Sequence, residues 1–599
     1  MKRPGDFFQK GIDYLSAALL GTVIILVVFF SNVPRYISKS FLLPNGTLVL
    51  IAVGGWLLFV GACRFISEKR HLRLSSDEEG GEKQHMVDRA VVGLCVCLFF
   101  VQLYICYNIF FVTGWDPGTI WATALARVEG EVWNEMYFSR YPNNLLLLLL
   151  ETALIRIHNM VGILPKEYAG FSPAEKLDQL RSKLKELGCT AQFVGKLDNL
   201  AWLLNLRAMD IECTPYAMAY CYVTPSRAVL FINTARVTPE AKAELEANGI
   251  TLAEYDDVLE FLAAETEPQT VLAECSTVNY AVYQVLEQNP ALTVKDGTDP
   301  LLLMKGVKNE TELAHTKQAH IRDAVAMVRF QMELESRLAA GETLTELTVD
   351  EILHKYRSAD DKFLVESFGT IAAYGGNAAM MHYHATPEDH AVLEKKGFLL
   401  VDSGATYMDG TTDITRTYPL GPLTEDEKRF YTWTLQSHID LAKAVWLDYC
   451  ECKMIDTIAR EPLWRHLINY RCGTGHSVSF VGNVHEGPHA LNSRNTTRMR
   501  PGMVVTDEPG VYETDLVGIR IENELVCIHK ADNQYGTFLG FEPLTFVPIA
   551  TSPILPGVLD KDELAWLNDY HRQVFAKLAP HLNAEERVWL AEKCASIGC

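Results

Sequence analysis

The sequence predicts an α+β protein in three parts: an N-terminal α-helical membrane segment, an α/β domain, and a larger mixed domain that carries the chemistry. Three observations predict it. Residues 14–34, 40–63 and 90–115 are free of formal charge, and each is long enough to cross a hydrocarbon core as a helix. Residues 172–288 alternate helical and strand patterns, as α/β or α+β units do. Beyond residue 309, carboxylates and histidines gather in short motifs among strand-like runs.

Taken in order, the first 115 residues differ from everything after them. Arg64, Lys69, Arg70, Arg73, Lys83 and Arg89 lie between the second and third apolar runs, against Arg35 and Lys39 between the first and second. With Lys2, Arg3 and Lys10, this bias places the N-terminus and the second loop inside. No small-residue cleavage site follows the first run, so a signal peptide is not expected. Residues 143–164 contain six consecutive leucines but also Glu151, Arg156 and His158, and a return to the cytosol is expected there.

Gly114-Trp115-Asp116-Pro117-Gly118, with the Tyr137 to Asn144 string and the leucine run after it, resembles the first extracytoplasmic loop of multispan membrane glycosyltransferases that use lipid-linked sugars. The resemblance makes Asp116 the counterpart of that family's catalytic aspartate. The family's many further spans are absent, so the expectation is an anchor without transferase activity.

The net charge of −21 leaves no basic stripe to neutralise phosphates, which excludes nucleic acid as a partner. Fourteen cysteines are scattered without CxxC pairs, and Cys450 and Cys452, two residues apart, fit neither a zinc nor a redox motif. Reduced structural thiols favour the cytosol.

Soluble structure is expected from Ser172. Ser172-Pro-Ala-Glu is a capping box with proline at the first helical position, Leu177, Leu180, Leu184 and Leu187 form the apolar stripe, and Gly188 ends the helix. A strand at 191–194, a helix at 197–206, a strand at 228–233 and a helix at 239–247 follow. After the turn-rich Asp296-Gly-Thr-Asp-Pro, Asn309-Glu-Thr-Glu caps a long helix with Leu313, Ile321, Ala324, Val325 and Val328 on its apolar side. The predicted parts are therefore 1–165, 166–304 and 305–599.

The last part centres on residues 398–417, two strands around the Asp409-Gly410 turn. On the second strand Thr411, Asp413, Thr415 and Thr417 share one face while Ile414 packs behind. Asp402 and Asp413 are thus offered to one spot, and paired carboxylates call for a proton, an arginine or a metal between them. His476 in Gly-Thr-Gly-His, His485 in Asn-Val-His-Glu-Gly-Pro, Glu508 in Asp-Glu-Pro-Gly and Glu522 in Arg-Ile-Glu-Asn add ligand types. Oxygen donors with one imidazole suit Mn, Co, Fe or Zn, and four carboxylates are enough to bridge two ions.

These motifs, from about Ser172 to the C-terminus, resemble the long branch of the Xaa-Pro aminopeptidases (aminopeptidase P). The resemblance implies a pita-bread catalytic domain, the fold shared with prolidase, creatinase and methionine aminopeptidase, preceded by a creatinase-like domain. It implies metal ligands Asp402, Asp413, His476, Glu508 and Glu522, holding two divalent ions, with Mn2+ placed first and Zn2+ or Co2+ as alternatives. His382 and His485 would belong to the substrate site, and Arg520, one pleat from Glu522, would be the active-site arginine. Asn199 to Arg207, Phe541 to Ile549 and Trp566 to His571 further mark the long branch.

Family members carry two creatinase-like domains, of which only the second is recognisable here, and the membrane segment stands where the first would be. The resemblance also implies a homodimer, peptide substrates with proline in the second position, and removal of the N-terminal residue by a metal-bridging hydroxide. Glu508 would shuttle the proton, and His382 and His485 would donate to the carbonyl oxygen.

Alternatives are a prolidase acting on Xaa-Pro dipeptides and a non-catalytic membrane-attached pita-bread binding protein. The expected location is the membrane, with the peptidase part in the cytoplasm. His384, His466, His489 and His529 are read as surface or packing residues, Asp409 as turn chemistry, and Asp507 as an orienting group away from the metal. Arg416 is expected to pair with a carboxylate behind the ligands.

Overall fold

The computed structural model describes residues 160–598. The predicted spans at 14–34, 40–63 and 90–115, and Asp116, lie outside the described residues. Among the described residues no helix is long and apolar enough to cross a membrane.

Ordered structure begins before Ser172. Gly162–Ile163 pairs antiparallel with Leu206–Arg207, and the Leu164 N–H donates to the Asn205 carbonyl at 2.7 Å. The end of the leucine-rich stretch is therefore a strand, because it finds an edge to pair with rather than lipid.

The first sheet has six strands in the order Ile250–Ala253, Ala228–Ile232, Ala219–Val223, Ala191–Val194, Gln269–Ala273 and Leu292–Asp296. Ala219–Val223 pairs antiparallel with both of its neighbours, and the other three pairs are parallel. Ala228–Ile232 is buried throughout, and its side chains alternate between two cores. Leu230 and Ile232 pack with Leu177, Leu180 and Leu245, whereas Val229 and Phe231 pack with Leu262 and Leu286. Helices on both faces explain why this strand reads as a continuous apolar run. The helix Pro173–Glu186 carries the capping box read from sequence, with Gly188 at φ +67° after it.

Asn309 caps the helix Glu310–Ala339, which spans the second part and buries Ala324, Val328 and Leu334 in its main core. Two antiparallel sheets lie beside it. One joins Ile371–Tyr374, Phe398–Ser403 and Ile414–Pro419, and the other is six-stranded, with Val504–Asp507 between Asn523–Asn533 and Gly475–Ser477.

The hairpin forms as predicted but is broken on both arms. Its strands are Phe398–Ser403 and Ala405–Tyr407 going in, and Gly410–Thr411 and Ile414–Pro419 coming out. The break falls at Gly404, where a Cβ would lie 1.8 Å from the Thr412 carbonyl oxygen and 2.3 Å from Ser367 Oγ. Only glycine allows that approach, and the break turns Asp413 into the site.

Three readings are corrected. Asp409 is fully buried and is paired with Lys362 Nζ at 2.8 Å and Arg322 Nε at 3.3 Å, so it is an ion-pair anchor as well as a turn residue. Among the described residues Arg416 meets no carboxylate. Alternation puts it on the Ile414 face, where it donates to the carbonyls of Pro548 at 3.1 Å and Val547 at 2.8 Å and to Tyr570 Oη at 3.0 Å. Arg520 and Glu522 are not on one strand. Val517–Arg520 pairs with Gly510–Glu513, and the chain crosses to the six-stranded sheet before Asn523–Asn533 begins.

Candidate metal centre

Asp402, one residue from the end of its strand, lies directly opposite Thr415, which brings it beside the arm that carries Asp413. The Asp413 N–H donates to Glu524 Oε1 at 2.8 Å, fixing the backbone there. His476 leaves the strand Gly475–Ser477, and its N–H donates to Thr506 Oγ1 at 3.0 Å. Glu508 follows the strand Val504–Asp507, held by its N–H to the Thr474 carbonyl at 2.8 Å. The Glu522 N–H donates to the Thr415 carbonyl at 3.1 Å, and its Oε2 accepts from Thr415 Oγ1 at 2.6 Å.

Asp413, His476 and Glu522 offer ligand atoms that all lie within 4.8 Å of one another. His476 Nε2 is 3.3 Å from Asp413 Oδ2 and 3.5 Å from Glu508 Oε1. Asp402 joins through Arg520, whose Nη2 contacts Asp402 Oδ2 while its Nε donates to Thr415 Oγ1 at 3.1 Å and its Nη1 to Tyr512 Oη at 2.9 Å. All five predicted ligands and Arg520 therefore meet in one place.

The two histidines read as substrate residues stand at its mouth. The His485 ring meets the His476 ring edge-on with centroids 4.1 Å apart, and His382 is close enough for its charge to act on His485. Burial, then His476 and His382, bring the His485 imidazole down to about 4. At neutral pH it is uncharged, with an N–H to donate.

The charges decide what the site holds. Asp402, Asp413, Glu508 and Glu522 face a single guanidinium, so three negative charges are left over. Burial pushes the Asp413 carboxyl far up, and Asp402 and Glu508 push it further. Glu522 is raised well above its ordinary value by burial, Asp413 and Glu508, and Glu508 is raised by burial first, with Asp402 adding to it. Asp402 Oδ1 and Asp413 Oδ1 are buried and have no hydrogen-bond partner. Buried carboxylates with orphaned oxygens around one imidazole are a cation-ligand set, and divalent ions would offset their excess charge.

Behind the ligands lie two histidine–carboxylate pairs that the sequence did not disclose. His438, from the helix Glu425–Ala442, sits 3.1 Å from Asp507 Oδ2 with Nδ1 and 3.2 Å from Asn523 Nδ2 with Nε2. It thus links the neighbours of Glu508 and Glu522. Burial raises Asp507 to about 6 against the pull of His438. His320, on the long helix, lies 3.3 Å from Glu524 Oε2, the carboxylate that holds the Asp413 backbone. Asp507 lies beside His438 and outside the group Asp413, His476 and Glu522. Among the discounted histidines, His489 is buried and bonds the Val504 carbonyl at 2.7 Å, and His466 stacks on Trp433.

Comparison with known proteins agrees with this geometry. Residues 314–529 match metallopeptidase family M24, residues 155–312 the creatinase/prolidase N-terminal domain, and residues 537–597 the C-terminal region of peptidase M24. Aminopeptidase P1 of Lotus japonicus is 34% identical over 508 residues, covering 74% of this chain and 77% of that protein. The chain belongs to the aminopeptidase P family. Aminopeptidase P2 of Arabidopsis thaliana is 37% identical over 470 residues, covering 73% of the chain and 65% of the relative.

Among solved aminopeptidases of this kind, X-prolyl aminopeptidase from Caenorhabditis elegans, described as a cytosolic enzyme with a di-nuclear active site, has a TM-score of 0.69 and 33% identity, covering 73% of each chain. Ahead of the aminopeptidase P region, residues 11–162 match a conserved hypothetical integral membrane protein family.

Proposed function

We propose that the protein is a dinuclear Xaa-Pro aminopeptidase that removes the N-terminal residue from peptides with proline in the second position. The observation that carries this is the convergence of Asp413, His476 and Glu522 within 4.8 Å, with Asp402 and Glu508 alongside and two buried carboxylate oxygens unpartnered. Asp402, Asp413, His476, Glu508 and Glu522 would hold the ions, and the oxygen-rich donor set favours manganese over zinc or cobalt. Bound there, the ions supply Lewis-acid polarisation of the scissile carbonyl and a water of lowered pKa.

The chain's own residues do the rest. Glu508, braced by Thr506 Oγ1 at 3.2 Å, takes the proton of the attacking water and returns it to the departing proline nitrogen. His485 and His382 donate to the carbonyl oxygen as it gains charge. Arg520 fixes the orientation of Asp402 and offsets part of the excess negative charge. The ligand carboxylates offer acceptor oxygens to the substrate's free ammonium, so cleavage takes one residue at a time.

The domain limits we propose are 1–165 for the membrane segment, 166–304 for the creatinase-like domain and 305–599 for the catalytic domain. The matched ranges support this division. Membrane attachment with a cytoplasmic peptidase is supported by the integral-membrane match and by the cytosolic relative.

The specificity test compares Arg-Pro-Pro with Arg-Pro on the manganese-loaded full chain. Release of arginine from the tripeptide is expected. Cleavage of the dipeptide alone would make the protein a prolidase.

A further inference from the structure

The segment that carries His485 is held from outside its own domain. Arg207, in the creatinase-like domain, donates from Nη2 to the Phe480 carbonyl at 3.0 Å and from Nε to the Val481 carbonyl. On its own side the same guanidinium is fixed by Nη1 to the carbonyls of Ala201 at 2.9 Å and Leu206 at 2.7 Å. Tyr216, also in that domain, accepts the Asn483 N–H at 2.9 Å and lies 3.1 Å from Ser479 Oγ. These contacts bridge 263 to 274 residues of sequence.

The segment they hold does not adopt its shape by default. Val481 has φ +50°, a conformation costly for a β-branched residue, so its surroundings must impose it. Gly482 follows, and a Cβ there would lie 2.4 Å from Tyr216 Oη. Asn483 Oδ1 then accepts the His485 N–H at 3.1 Å. On the far side of His485, Glu486 accepts from Ser479 Oγ at 2.6 Å and Lys305 Nζ at 2.9 Å, and contacts Lys308. Lys305 also reaches Asp198 of the creatinase-like domain at 3.0 Å. From its own domain the turn is held by Thr411, whose Oγ1 donates to the Gly482 carbonyl and accepts the Gly482 N–H, both at 3.0 Å; the other anchors named here come from the first domain or from the joint between the two.

We propose that Arg207 and Tyr216 are positioning residues that hold His485 over the metal centre, so the creatinase-like domain builds part of the active site. The proposal rests on His485 being the donor to the carbonyl oxygen. A side chain set by a loop of this kind is sensitive to displacement of the loop, since a shift of about 1 Å costs on the order of 100-fold in rate.

The test is a double-mutant cycle on the manganese-loaded full chain with Tyr216→Phe, His485→Ala and the pair, following kcat, KM and melting temperature. Tyr216→Phe keeps the ring and removes only the hydroxyl that accepts the Asn483 N–H and donates to Ser479 Oγ. It is expected to lower kcat on the order of 10-fold with KM changed by less than about 2-fold, and to have almost no further effect when His485 is already alanine. Equal losses in both backgrounds would mean that Tyr216 supports the fold and not His485, and would overturn the proposal, as would an unchanged kcat in Tyr216→Phe. An unchanged kcat in His485→Ala would overturn the role of His485 itself, and that arm alone distinguishes the two failures. Should Tyr216→Phe not fold, the same cycle with Arg207→Lys, which loses the fork that spans two carbonyls, is read by the same criterion.

Discussion

Replacing Asp323 with asparagine should destabilise the catalytic domain far more than its isosteric shape suggests. Asp323 is fully buried on the helix Glu310–Ala339 and accepts four hydrogen bonds: from Arg357 Nε at 2.7 Å, Arg357 Nη2 at 3.0 Å, Tyr407 Oη at 2.9 Å and Thr412 Oγ1 at 2.9 Å. Tyr407 and Thr412 stand on opposite arms of the hairpin, so this carboxylate ties the hairpin that presents Asp402 and Asp413 to the long helix. An amide turns one acceptor into a donor and leaves Arg357, itself 0% exposed, without a counter-charge.

Removing one partner of a buried pair costs about 3–5 kcal/mol. At about 2 °C per kcal/mol for a domain of this size, the melting temperature should fall by roughly 6–10 °C. The assay is calorimetry of the metal-loaded full chain in mild detergent. Adding Arg357→Met removes the stranded charge and should restore part of the loss. A loss under about 1 kcal/mol, or a double variant less stable than the single one, would refute the reasoning.

Two further predictions follow from the same contacts. His438→Leu leaves Asp507 and Asn523 without their common partner, and should weaken manganese binding about 10- to 100-fold by calorimetric titration. Unchanged affinity would show that the pair does not orient Glu508 and Glu522. Burial works to raise the Glu486 carboxyl, but Lys305 and Lys308 bring it down from 4.5 to about 2. Its folded pKa thus lies below its unfolded one, and the contribution of about 3 kcal/mol is complete above the unfolded value and lost as pH falls toward the folded one. The stability gap between wild type and Glu486→Gln should therefore narrow between about pH 5 and 2, and a gap independent of pH would contradict it.

Local rules carried the sequence reading a long way. The capping boxes at Ser172 and Asn309 form because their partners are three residues off, within reach of any helix start. The convergence of the candidate ligands was legible because each sits in a short motif whose glycines or prolines mark a strand end. Non-local packing was not legible. His438 and Asp507 are 69 residues apart, Asp323 and Arg357 come from separate helices, and no periodicity connects Tyr216 with Asn483. Asp409 shows the limit from the other side: its Asp-Gly string is a true turn signal, but the burial that makes it an ion-pair anchor depends on Arg322 and Lys362. Arg416 was misread for want of a face. Its alternation with Thr415 was countable, yet what lay on its own side, the 547–548 backbone and Tyr570, was not.

The most direct measurement is release of free arginine from Arg-Pro-Pro by the full chain, with and without manganese, beside Asp413→Ala. Asp413 offers a ligand atom within 4.8 Å of those of His476 and Glu522, so its loss should abolish cleavage and lower the bound metal below two ions per chain. Manganese-dependent release that disappears in Asp413→Ala is the predicted result. Undiminished cleavage by the chelated wild type, or by Asp413→Ala, would contradict a dinuclear metal centre at this site.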